Sequence, residues 1–144
     1  MTDRDRTRPT GDADAAPHTV VRRLPEKQVR STDYLENVLA AGLIAHVGLV
    51  QAGQPYVLPV AYAPWRGGVV FHGSTASRLF KTLAAGAPTC LTVTLLDGLV
   101  AARSAFESSM EYRCAMLFGT CVKLTGTDQD HALQAITEHL LPGP

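Results

Sequence analysis

Residues 72–81 read HGSTASRLFK: a histidine and a glycine, a run of small and hydroxyl side chains, then an arginine and a lysine three apart. That set suits an anion. A helix beginning just after a strand presents unpaired backbone N–H groups, and its dipole favours negative charge there. Gly73 lets backbone approach a ligand, Ser74, Thr75 and Ser77 offer hydroxyl donors, and Arg78 and Lys81 fall on one helical face. The fork of Arg78 suits a phosphate, with Lys81 as a point charge. The same two cations also fit the solvated face of an ordinary amphipathic helix, and a lone histidine such as His72 is more often structural than a ligand.

A second polar cluster, ARSAFESSMEYR, places Arg103, Ser104, Ser108, Ser109, Tyr112 and Arg113 between two apolar runs. Connections held by rigid strands commonly carry binding groups, although a solvated crossover has the same composition. Other chemistries lack their markers. There is no G-x-G-x-x-G, no G-x-x-x-x-G-K-[ST] and no G-x-S-x-G. His46, His72, His131 and His139 have no metal-ligand spacing with cysteine or carboxylate, so no metal is expected. His18 lies in the N-terminal tail. Cys90, Cys114 and Cys121 form no C-x-x-C pair and sit among apolar neighbours, which reads as reduced core thiols in a cytoplasmic protein.

The 144 residues suffice for one hydrophobic core. Thirteen basic residues balance thirteen acidic ones, so no overall field draws the chain to nucleic acid or a membrane. Any anion must be bound locally. Residues 1–18 hold no large apolar side chain after Met1, and they read as a disordered tail ahead of a domain spanning 19–144. No stretch has the apolar middle of a signal peptide or the length of a membrane span.

Within the domain, Ser31 or Thr32 caps a helix carrying Leu35, Val38 and Leu39, which Gly42 ends. Residues 43–50 and 55–63 form a hairpin, apolar on both faces, and Pro59 marks an edge or bulge where backbone groups are left free. A turn at Trp65–Gly68 leads to a third strand, VVFHG. From Ser74 the period becomes helical through Leu79, Phe80 and Leu83, with Gly86 as the stop. Residues 88–96 alternate again, Asp97-Gly98 reads as a turn, and 114–124 as a long strand bent at Gly119. Thr127 and Asp130 begin a last helix. Hairpins first and then strands parted by single helices give a β-rich α+β domain, a small antiparallel barrel with helices outside.

Taken in order, HGSTASR, PTCLTVTLLDGLVAARSAF, SMEYR and the F-G of the following strand resemble the pyridoxamine 5′-phosphate oxidase-like family with the FMN-binding split barrel, in particular its flavin-nucleotide-binding branch that includes nitroimidazole-resistance-type proteins. The resemblance implies a six-stranded antiparallel split β-barrel that pairs into a two-fold homodimer with FMN at the interface. It places Leu58, Pro59, Val60, Ala61 and Tyr62 along the flavin ring. His72, Gly73, Ser74, Ser77, Arg78 and Lys81 would hold the phosphate end. Arg103, Ser104, Ser109, Tyr112 and Arg113 would approach the flavin from the partner subunit. The activity implied is that of a flavin-dependent oxidoreductase on a small molecule, with no protein acid or base singled out. Alternatives in the same fold are a deazaflavin- or haem-binding protein. A non-catalytic flavin-binding or dimerisation module is favoured by Glu107, by Glu111 and by a chain that is C-terminally short relative to the family.

Overall fold

The computed structural model describes residues 19–143, and the tail expected at 1–18 lies outside the described residues. The chain divides at Arg30/Ser31 into two units. In the first, a three-residue 3-10 helix, Pro25–Lys27, follows Leu24, whose φ is 53°. The Gln28 side chain closes this segment by donating to Thr19 O (2.8 Å) and accepting from Val21 N (2.9 Å).

The second unit runs α1 (Thr32–Ala41), β1 (Ile44–Gln51), β2 (Gln54–Trp65), β3 (Gly68–Phe71), α2 (Arg78–Ala84), β4 (Thr89–Val100), β5 (Ser109–Gly119) and α3 (Gly126–Leu140). It is an α+β fold of the split-barrel type. Five strands form one antiparallel sheet in the order β3-β2-β1-β4-β5, where six were expected. Residues 114–124 do not continue as one strand, because Gly119 lies opposite Thr89 and the residue before Thr89 is Pro88, which has no N–H to extend the ladder. The chain is instead irregular from Thr120 to Thr125.

Two turns set the register. Ala52-Gly53 and Arg66-Gly67 each join strands through two residues of positive φ (48° and 77°, 47° and 78°), the primed turn geometry that matches strand twist. Asp97-Gly98 is not a turn. β4 runs through it to Val100, and Asp97 is an extra residue between the pairs Leu96↔Tyr112 and Gly98↔Glu111, a β-bulge. The opposing SMEYR segment therefore belongs to β5.

Alternation places Ala45, Val47 and Leu49 of β1, Val60 and Tyr62 of β2, and Leu91 and Val93 of β4 in the core, against Val38 and Leu39 of α1 and Leu79 and Leu83 of α2. Ser31 caps α1 by accepting from Tyr34 N (3.3 Å), as expected. Gly42 ends the helix for a different reason than a left-handed cap. Its φ is −82°, but a Cβ there would stand 2.5 Å from Val93 Cγ1 and 2.6 Å from the Tyr62 hydroxyl. Tyr62, fully buried, donates to Leu39 O at 2.6 Å, and His139 of α3 donates from Nε2 to Gly42 O at 2.7 Å. α3 begins after Thr125, two residues before Thr127, and buries Ala132 and Ile136.

Burial pushes the Tyr62 phenol up to about 12. The folded state holds this proton more tightly than the unfolded chain, so the contribution is complete below pH 10 and is lost as pH rises from about 10 to 12. In urea titrations the wild type loses about 2–3 kcal/mol across that window relative to Tyr62→Phe. At neutral pH the same variant is less stable by about 1–3 kcal/mol, because Leu39 O is left buried without its donor.

Candidate functional site

α2 starts at Arg78, four residues later than the change of period at Ser74. Ser74–Ser77 form a turn closed by Ser77 N donating to Ser74 O (3.0 Å). Ser77 caps the helix by accepting from Phe80 N (3.2 Å), and the Ser74 hydroxyl accepts from Ala76 N (3.3 Å). Each serine has thus spent a lone pair on the backbone and retains its O–H as a donor. Gly73 is required by packing. A Cβ there would lie 2.1 Å from Phe80 Cε2, and the Phe80 ring meets Phe71 edge-on with centroids 5.8 Å apart.

The two cations of this segment go to different places. Arg78 Nη1 donates to the Tyr56 hydroxyl at 2.8 Å, with its guanidinium carbon 5.5 Å from the Tyr56 ring centre. Together with Leu49, Gln51, Leu58 and Leu79 these two residues line a depression of about 30 Å³. Lys81 lines instead an open cleft of about 730 Å³, along with His72, Gly73 and Thr75. Tyr56, the partner of Arg78, carries no signal in the sequence. It sits 22 residues upstream and meets Arg78 only because α2 folds back over the β1–β2 hairpin.

Beside Arg78 runs a strand edge. β3 pairs with β2 only from Tyr62 to Trp65, whereas β1 pairs with β2 from Gln54 to Ala61. The stretch Pro55–Ala61 therefore has β1 on one side and no strand on the other among the described residues. Pro59, opposite His46, lies in the middle of this edge, as its missing N–H requires. Leu58 and Pro59 are exposed and Ala61 is half-buried, whereas the side chains of Val60 and Tyr62 point into the core. Val60 therefore offers a ligand only its backbone, and Tyr62 lies beyond the free edge, paired with Phe71 of β3.

The second polar cluster sits on an arm. β1 covers β4 only from Thr89 to Thr92, so Leu95–Val100 and Ser109–Arg113 project beyond it as a two-stranded hairpin. At its tip the Ser104 hydroxyl accepts from Glu107 N (3.3 Å) and the Ser108 hydroxyl accepts from Ala102 N (3.1 Å). Arg113 is engaged across the bulge. Its Nε donates to Asp97 Oδ2 (2.9 Å) and its Nη2 to Oδ1 (2.8 Å). Hydrogen bonding from Arg113 holds the Asp97 carboxyl below its usual range, and the same bonds raise the guanidinium. None of Arg103, Ser104, Ser109, Tyr112 or Arg113 lines the depression or the cleft, so the chain by itself does not bring the two clusters together.

Cys114 is exposed beside Thr94 (3.8 Å), not a core thiol, because position 114 falls on the outer face of β5. Cys90 and Cys121 are half-buried. Burial raises the Cys121 thiol. Among the described residues no group of three or more His, Cys, Asp or Glu could hold a metal, and no helix is long and apolar enough to cross a membrane.

The sequence signature of pyridoxamine 5′-phosphate oxidase matches residues 31–144, the whole of the second unit. The chain belongs to the pyridoxamine 5′-phosphate oxidase family. A FAD and haem binding protein from Mycobacterium smegmatis is 41% identical, with a TM-score of 0.74 over 81% of this chain and 57% of that one. The flavocytochrome Anf3 of Azotobacter vinelandii is 37% identical, with a TM-score of 0.77 over 89% of this chain and 60% of its own. The chain thus spans about three fifths of the length of these two proteins. A candidate 5-nitroimidazole antibiotic resistance protein from Bacteroides thetaiotaomicron shares the fold at 20% identity, with a TM-score of 0.66 over 81% of this chain and 70% of that one. No curated protein sequence matches. Within this family member, Gly73→Ala forces the Phe80 ring off Phe71 and lowers stability by about 1–3 kcal/mol, read as a drop in melting temperature.

Proposed function

We propose that this chain is an FMN-binding split-barrel protein that acts in the cytoplasm as a flavin-dependent oxidoreductase on a small molecule, with two copies building the site between them. The observation that carries the reading is the unpaired Pro55–Ala61 edge of β2 beside Arg78. A strand edge offers alternating N–H and C=O groups, and the pyrimidine rim of a flavin has both acceptors and donors to meet them. Arg78 gives one of its five N–H groups to Tyr56 and has others for a phosphate, joined by the hydroxyl protons of Ser74 and Ser77. The depression of about 30 Å³ beside Arg78 is far below the size of a cofactor pocket, so the ring system lies outside it, along the edge. The names of the Mycobacterium and Azotobacter relatives, one binding FAD and haem and the other a flavocytochrome, support a redox cofactor of this kind.

The flavin, when bound, supplies hydride transfer, while the protein binds and orients it. No side chain of this chain is assigned as acid or base. The second copy covers the outer face of the sheet, where the cross-strand rows Val57–Gly48–Cys90–Phe118 and Pro59–His46–Thr92–Met116 leave Val57 (65%) and Met116 (56%) exposed. Its projecting arm carries Arg103, Ser104, Ser109 and Tyr112 toward the first copy's flavin, which supplies the half of the site that one chain lacks.

Purified protein is expected to show a flavin absorbance spectrum, and its melting temperature to rise with added FMN. Arg78→Ala weakens FMN about tenfold or more while leaving riboflavin, which has no phosphate, within about twofold. Sedimentation gives the mass of a dimer. A colourless protein whose melting point is unmoved by saturating FMN or FAD overturns the proposal, and a Soret band without flavin absorbance assigns haem in its place.

A further inference from the structure

The 730 Å³ cleft is separate from the proposed flavin edge. It opens between β3 and the end of β5, the two outermost strands of the sheet, with α2 and α3 as its flanks. Its floor is apolar. Val69, Phe71, Phe80, Leu83, Leu91 and Leu117 all line it, and β3 is half-buried at all four positions. The volume lies within the range of about 300–1,000 Å³ typical of small-molecule sites, which are likewise mostly apolar with a few polar groups, and barrel mouths are among their usual places.

The charged groups decide the class of ligand. Lys81 of α2 and Lys123 of the segment between β5 and α3 both line the cleft, and no aspartate or glutamate does. Of the other cations of this unit, Arg66 pairs with Asp128 at 2.7 Å, Arg113 with Asp97 at 2.8 Å and Arg78 bonds Tyr56, while Arg103 sits on the arm and does not line the cleft. Neither Lys81 nor Lys123 has an ion-pair partner among the described residues. Two uncompensated ammonium groups at an apolar cleft free of carboxylates complement a molecule with an apolar body and an anionic end.

We propose that this cleft binds an anionic single-chain amphiphile, its chain on the Phe71–Leu117 floor and its carboxylate between Lys81 and Lys123. The site is distinct from the flavin's and does not depend on it.

Dodecanoate, kept below its micelle concentration, is titrated calorimetrically into the full chain, with dodecanol as the neutral control. One dodecanoate binds per chain, and dodecanol binds about tenfold more weakly. The double variant Lys81→Glu, Lys123→Glu, at two exposed positions, weakens dodecanoate about tenfold and leaves dodecanol unchanged. Thr120→Trp, which adds bulk to the exposed lining, weakens both. Lys123→Glu leaves FMN affinity as it was. Equal binding of dodecanoate and dodecanol, or a double variant that binds dodecanoate as the parent does, overturns the proposal. Displacement of dodecanoate by FMN would put the flavin in the cleft and overturn it also. Dodecanoate binding that disappears as the chain dimerises, and returns on dilution, would assign the cleft to a second copy.

Discussion

The fold depends on how the C-terminal end of α1 is satisfied. The last carbonyls of a helix have no intrahelical partner, and they carry the negative end of its dipole. Here that end is held by donors from two distant elements, the Tyr62 hydroxyl of β2 on Leu39 O and the His139 imidazole of α3 on Gly42 O, with the two rings 5.6 Å apart. A carbonyl can only accept, so His139 carries its proton on Nε2 in this contact. Only glycine fits at position 42, since any Cβ would occupy the space of Tyr62 and Val93. One small volume thus joins α1, β2, β4 and α3.

The register of β2 follows from that contact. Side chains alternate along a strand, so a Tyr62 fixed inward sends Val60 inward and turns Pro59 and Ala61 outward. A slip of one residue would bury the proline face and break the hydroxyl bond to Leu39. The same register brings Tyr56 near the turn end of the hairpin, where Arg78 meets it, and leaves Pro55–Ala61 uncovered because β3 is only four residues long. The candidate edge is therefore a consequence of core packing on the opposite side of the same strand.

What the sequence made legible was local. Ser31 and Gly86 mark helix ends by their own chemistry, and the alternation of Leu91, Val93 and Leu95 with Thr92 and Thr94 reports which face of β4 is buried. Pro59 pointed to an edge because a residue without N–H has few other places in a sheet. The illegible parts were set by partners far along the chain. Asp97-Gly98 has the composition of a turn, yet β5 runs opposite it and makes it a bulge. Ser109–Arg113 looks like a polar connection because both its faces are exposed on a projecting arm. Gly119 ends a strand through Pro88, which no reading of residues 114–124 alone could reveal. Arg78 and Lys81, three apart on one helix, looked like a converging pair, and only the position of Tyr56 separates them.

That separation changes the electrostatics of residues 72–81. Two cations converging on one phosphate would act as a single neutralising site, whereas here Arg78 is oriented by a phenol and its ring face, and Lys81 faces apolar walls. A guanidinium held by one of its five donors is pre-oriented, so less side-chain entropy is lost when an anion arrives. A free ammonium on a flexible stem has no such preparation, and it adapts to whatever carboxylate or phosphate the cleft admits. α2 is the element that makes the division. In seven residues it presents Arg78 to the β1–β2 hairpin and the exposed Lys81 to the cleft, while Leu79 and Leu83 anchor it between the two. One short helix therefore gives a single sheet two chemically different openings, a polar edge suited to a planar hydrogen-bonding ring and an apolar cleft with a cationic rim.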